Sequence, residues 1–81
     1  MNVTVLLFAA ARDAAGMPET MLELPAGATA GDAVEALARR FPRLGAWRRA
    51  VRVAVNETYA DDATKLREGD VVAVIPPVSG G

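Results

Sequence analysis

Apolar runs alternate along this chain with short polar or Gly/Pro-marked breaks. Val3 to Ala9 (VTVLLFA) is β-branched and apolar, which predicts a strand. Ala10 to Gly16 is Ala-rich and closes on glycine, as a short helical turn would. Glu19 to Leu24 (ETMLEL) reads as a second strand, ended by Pro25-Ala26-Gly27. Thr29 and Asp32 then supply the Thr-x-x-acid start of a helix, in which each side chain caps a free backbone N–H. Val34, Leu37, Ala38 and Phe41 follow the i, i+3, i+4, i+7 spacing of one buried helical face. Pro42, which has no N–H and disfavours helix in the residue before it, ends the helix. Leu44 to Ala50 reads as a connector containing Trp47. Val51 to Val55 is a strand, Asn56-Glu57-Thr58 a turn, and the region of Tyr59 a short edge segment. Glu68-Gly69-Asp70 marks a tight turn before the last strand, Val71 to Ile75, which Pro76-Pro77 stop.

The predicted order is strand, strand, helix, strand, short strand, strand. One main helix laid on one face of a mixed sheet satisfies it, an α+β arrangement of the β-grasp, or ubiquitin-like, kind. Residues 1–75 form the domain in this reading, and residues 76–81 a flexible, extended C-terminal Gly-Gly tail. Strand parity adds a second expectation. Val3, Val5 and Leu7 share one face of the first strand, and Thr4, Leu6 and Phe8 the other. In the last strand Val71, Ala73 and Ile75 oppose Val72, Val74 and Pro76. Both strands are apolar on both sides, yet one helix covers only one. The surplus face suggests a partner; the competing explanation is a two-sided core closed by the Trp47 connector.

Composition narrows the chemistry. With 81 residues the chain is one small domain without room for a deep pocket. It is 52% hydrophobic with a net charge of −1, as expected of a folded globule and not of a general nucleic-acid binder. It contains no Cys and no His, which removes the usual nucleophile–base pairs and most zinc sites. No metal site is expected, since Asp61-Asp62 lacks the further spaced oxygens of a calcium loop. The apolar start, Met1 to Ala11, lacks a basic leader and falls short of the ~20 residues of a membrane span. A cytoplasmic protein without a membrane segment is the expectation.

Chemistry is therefore sought at the chain end. Pro76 and Pro77 favour an extended path away from the sheet. Val78 and Ser79 offer one apolar and one polar grip. Gly80-Gly81 is the thinnest possible terminus, able to enter a narrow channel. A carboxylate becomes a useful electrophile only as an acyl phosphate or acyl adenylate, and bulk at the last residue would obstruct that step. A frayed glycine end is the alternative, but a strand and two prolines stiffen the base and leave only the tip free.

The opening Val5 to Ala9 (VLLFA) with Arg12 and Gly16, the segment Ala54 to Thr58 (AVNET), and the block Leu66 to Gly81 (LREGDVVAVIPPVSGG) resemble the small, sulfur-carrying subunit of molybdopterin synthase. The resemblance spans the whole chain; from Ala30 to Arg49 it is one of pattern only. It implies that an ATP-dependent enzyme adenylates the Gly81 carboxylate and that a sulfur donor converts it to a thiocarboxylate. It implies docking on a larger catalytic subunit, in a heterotetramer of two carriers and a dimer of large subunits. There the sulfur passes to a cyclic pterin monophosphate to build the dithiolene of molybdopterin. Gly81 would be the modified residue, Gly80 its thin neighbour, and Phe8, Tyr59 and Ile75 the partner-facing patch. No cofactor would be bound permanently, ATP being used by the activating enzyme, and no nucleic acid or membrane partner is implied.

Other readings compete. A related carrier for thiamine or another sulfur product shares the Gly-Gly end, though such carriers are typically shorter. A ubiquitin-like modifier would join Gly81 to lysines of target proteins, and a plain β-grasp binding module would not need the tail. Arg39, Arg40, Arg43, Arg48, Arg49 and Arg52 form a run without an intervening acid. It reads either as a basic patch or as a solvated helix end where arginines suit the negative dipole terminus. Asp61, Asp62, Glu68 and Asp70 read as a docking guide or as turn formers.

Overall fold

The computed structural model describes residues 1–45 and 50–76. Five strands form one mixed sheet: β1 (Asn2–Leu7), β2 (Glu19–Glu23), β3 (Arg52–Val55), β4 (Thr58–Ala60) and β5 (Val71–Ile75). Their spatial order is β2-β1-β5-β3-β4. The central pair, β1 and β5, runs parallel, and the other pairs are antiparallel. Among the described residues three helical segments join them: α1 (Ala9–Ala15), α2 (Ala30–Arg40) and α3 (Pro42–Gly45). This is the expected β-grasp fold.

The core lies on one side of the sheet. Val3, Val5 and Leu7 of β1, Leu22 of β2, Val53 of β3, and Val72 and Val74 of β5 form one buried cluster with Ala11 of α1, α2 and Leu44 of α3. Complete burial of each such valine or leucine contributes about 1.5–3 kcal/mol against the ordering entropy. The α2 stripe starts one turn before the apolar spacing suggested. Ala30, Ala33, Val34 and Leu37 are buried, while Ala38 and Phe41 are only partly so. Small residues in the first turn let a crossing loop approach, which apolar periodicity alone does not register.

That loop completes the start of α2. Thr29 Oγ1 accepts from the Asp32 N–H at 3.2 Å, and Asp32 Oδ2 accepts from the Thr29 N–H at 2.9 Å. The Ala30 N–H donates to the Thr64 carbonyl at 2.8 Å and the Gly31 N–H to the Asp62 carbonyl at 3.0 Å. Side-chain caps and loop carbonyls together therefore satisfy donors the helix leaves open. The loop runs so close that a Cβ on Gly31 would stand 3.0 Å from Asp62 Cβ and 3.1 Å from its carbonyl oxygen.

Pro42 does end α2, but the chain then makes one further helical turn, α3, instead of entering a plain connector at Leu44. Proline suits the first position of a helix, and the turn buries Leu44 in the core. Trp47 lies outside the described residues. Gly16 closes α1 in the left-handed region at φ 78°, its N–H donating to the Arg12 carbonyl at 2.8 Å. Pro76 is buried. It continues the inward parity of Val72 and Val74.

Candidate functional site: the open sheet face and the exit of the tail

Parity and register place a second apolar surface opposite the core. Leu6 of β1 pairs with Ala73 of β5, Ala73 with Ala54 of β3, and Ala54 with Tyr59 of β4, making one continuous row across four strands. A parallel row holds Met21, Thr4 and Val71. Toward the tail, Ile75 pairs with Arg52, and Phe8 follows Leu7, which pairs with Val74. All three described helices contribute to the other face. The surplus apolar face is therefore open among the described residues, and the two-sided core is not what these residues form.

Its large groups are exposed: Phe8 at 47%, Met21 at 59% and Tyr59 at 66%. Leu6, Val71, Ala73 and Ile75 are half-buried beside them. A shallow groove of about 440 Å³ runs between Leu6, Phe8, Val71 and Ala73, with Asn56 and Glu57 at its polar end. The structure thus brings Phe8, Tyr59 and Ile75 onto one face. Met21 and Arg52 belong to the same face and were not singled out. The alternation of Glu19, Met21 and Glu23 against Leu22 and Leu24 carried that signal for Met21.

The polar end is held rigidly. Asn56 and Glu57 form the two-residue turn between β3 and β4 with φ of 50° and 70°, the type I′ geometry that matches the twist of a hairpin. The Asn56 backbone N–H donates to the Val71 carbonyl at 2.8 Å, and Asn56 Oδ1 accepts from the Val71 N–H at 3.0 Å. Asn56 Nδ2 donates to Asp70 Oδ1 at 2.9 Å, and the Arg67 N–H donates to Asp70 Oδ2 at 2.8 Å. These bonds, that from Asn56 first, hold the Asp70 carboxyl below the usual carboxylate range. Glu68 Oε1 accepts from the Asn2 N–H at 2.9 Å, and Asp61 Oδ1 accepts from the Ala63 N–H at 3.0 Å. Asp61 and Asp70 therefore brace turns, and Glu68 ties its turn to the start of β1.

Of the basic run, Arg39 and Arg40 occupy the last turn of α2, where cations suit the helix dipole. Arg40 Nη1 donates to the Met21 carbonyl at 3.2 Å and its guanidinium lies 5.1 Å from the centre of the Phe41 ring. The Arg52 guanidinium stands 5.9 Å from the centre of the Tyr59 ring. Arg48 and Arg49 lie outside the described residues, as do Pro77, Val78, Ser79, Gly80 and Gly81. Among the described residues no group of three or more His, Cys, Asp and Glu side chains could hold a metal ion. No described helix is long and apolar enough to cross a membrane.

Fold and site together define a ubiquitin-like β-grasp protein in which the described residues leave one apolar sheet face open beside the last strand. Residues 5–81 match the ThiS family, and the chain belongs to it. A molybdopterin synthase sulfur carrier subunit from Arabidopsis thaliana is 40% identical over 81 residues, covering 100% of this chain and 84% of that protein. The protein of the same description from Chlamydomonas reinhardtii is 37% identical over 83 residues and is covered in full. Among solved structures, SAMP1 from Haloferax volcanii superposes with a TM-score of 0.89 at 30% identity over 100% of both chains. The small archaeal modifier protein 1 of Methanosarcina acetivorans gives 0.79 at 28% identity, over 99% of this chain and 96% of that one. A chain from the complex of subunits 1 and 2 of molybdopterin-converting factor from Helicobacter pylori gives 0.70 at 24% identity over 100% of both chains, a likeness of fold alone.

Proposed function

We propose that this protein is the sulfur-carrier subunit of a molybdopterin synthase, with the Gly81 carboxylate as its working group. The observation that carries the reading is the full-length similarity to the molybdopterin synthase sulfur carrier subunits of Arabidopsis thaliana and Chlamydomonas reinhardtii, in a chain that ends Gly80-Gly81. The absence of Cys and His agrees with it, because the body then delivers a group and the bond-making residues belong to partners.

The chemistry needs little from the body. Attack of the Gly81 carboxylate on the α-phosphate of ATP, in an activating enzyme, gives an acyl adenylate and releases pyrophosphate. A sulfur donor displaces AMP and leaves a thiocarboxylate. A thioacid is a stronger acid than a thiol, whose pKa is ~8.5 for cysteine, so the product is an anionic sulfur nucleophile at neutral pH. The carrier docks through Phe8, Tyr59 and Ile75, and Pro76 to Ser79 lead the thin Gly80-Gly81 tip into the large subunit. There the sulfur passes to a cyclic pterin monophosphate. Holding the sulfur at that site replaces an encounter in solution with a positioned reaction.

Intact-mass measurement after incubation with an activating enzyme, ATP and a sulfur donor tests the reading. The expected product is heavier by the exchange of one oxygen for sulfur, and it yields molybdopterin when the large subunit and the pterin are added. Failure to make molybdopterin from a fully thiocarboxylated chain would overturn the assignment. The likeness to small archaeal modifier protein 1 favours a second reading, conjugation through Gly81 to lysines of other proteins. Isopeptide-linked ladders in the same incubation with added cell extract would identify it.

A further inference from the structure

The row of the open face nearest the tail contains a charged residue. Arg52 pairs in register with Ile75, the last residue of β5. Two residues on, Ala54 pairs with Tyr59, which makes Tyr59 the diagonal neighbour of Arg52 on the same side of the sheet. The guanidinium stands 5.9 Å from the Tyr59 ring centre, within range of a cation–π contact. Arg52 is exposed and Tyr59 is 66% exposed. A planar fork of donors is thus held on an aromatic ring beside an apolar face, one residue before the chain turns into Pro76.

Resting on the reading of this chain as the carrier subunit, we propose that Arg52 is a positioning residue that takes a carboxylate of the large subunit when the open face docks. A guanidinium pairs bidentately with a carboxylate, and stacking on Tyr59 reduces the freedom lost when it does so. Its place in the fold explains what such a pair achieves. Gly81 lies six residues beyond Ile75, a reach of roughly 20 Å for an extended chain. Apolar contacts are non-directional and leave the face free to rotate. A directional pair beside Ile75 fixes the point and the angle from which the tail is thrown.

The test compares Arg52→Gln, Arg52→Lys and Arg52→Glu with the unaltered chain for binding to the large subunit, by calorimetry at low and high salt. Arg43→Gln serves as the control, since it makes the same change in net charge on the helix side of the protein. Arg52→Gln is expected to weaken binding about tenfold or more at low salt and to flatten its salt dependence. Arg52→Lys keeps the salt dependence but recovers only part of the affinity. Arg52→Glu is weakest, and thermal melts of all variants stay close to the parent. Binding by Arg52→Gln within twofold of the parent at both salt concentrations, or an equal loss in Arg43→Gln, would overturn the proposal while leaving the carrier reading intact. Absence of binding by the unaltered chain would overturn both.

Discussion

With the open face as the proposed docking surface, replacing Phe8 by alanine separates docking from folding. Phenylalanine carries 150–250 Å² of surface, and 47% of Phe8 is exposed. About 100 Å² is therefore left for a partner to cover. At about 25 cal/mol per Å² its loss costs about 2.5 kcal/mol of docking energy, or about 70-fold in affinity. The covered half contributes at most a similar amount to the fold, and less once the compactness of unfolded chains is counted. A chain of 81 residues has roughly 4–12 kcal/mol of stability, so Phe8→Ala stays folded. Calorimetric titration against the large subunit reads the first quantity, and urea unfolding of the isolated variant reads the second. Phe8→Asp should bind more weakly still, because docking would bury a charge. Affinity within twofold of the parent, in a variant that unfolds at nearly the parental urea concentration, would refute the placement of Phe8 at the interface.

Gly31→Ala sets helix propensity, which favours alanine by about 1 kcal/mol, against a Cβ 3.0 Å from Asp62 Cβ and 3.1 Å from the carbonyl that Gly31 itself hydrogen-bonds. Because that carbonyl cannot retreat without losing the bond, a net destabilisation of about 1–2 kcal/mol is expected in urea unfolding; a more stable variant would refute the close packing. The Asp70 carboxyl has a folded-state pKa lowered from 3.8, so its bonds to Asn56 and Arg67 stabilise the fold above that pH, and the contribution fades as pH falls below it. Asp70→Asn is expected to be less stable than the parent at pH 7, the difference narrowing in acid melts below pH 3.8; a constant difference would contradict the assignment. One alanine appended after Gly81 is expected to abolish thiocarboxylate formation, read by intact mass, while leaving the melting temperature unchanged.

Local chemistry made much of the fold legible. The Thr29–Asp32 capping box, the Pro42 stop, the glycine that closes the Ala-rich turn at Gly16 and the apolar strands depend on residues a few positions apart, and the chain shows them directly. The apolar stripe of α2 was placed a turn late because Ala30, Gly31 and Ala33 look featureless until loop 61–64 crosses them. The α3 turn was missed because Leu44 needs a core to pack against before its segment has reason to coil. Arg52 read as one member of a basic run, since nothing local separates it from Arg43.

By itself the sequence determined the order of the strands and the main helix, the Gly80-Gly81 pair without side chains, and the lack of Cys and His, for these follow from residue type and spacing. Only the tertiary structure decided which face of the sheet is buried. Val3, Val5 and Leu7 alternate with Thr4, Leu6 and Phe8, and Val72 and Val74 with Val71, Ala73 and Ile75. Period-two alternation distinguishes faces when one of them is polar, and here both are largely apolar. The choice was made by the parallel pairing of β1 with β5 and by the side on which α2 packs. Those contacts join residues far apart in the chain, and they leave Phe8, Tyr59, Ile75 and Arg52 on one face of the sheet.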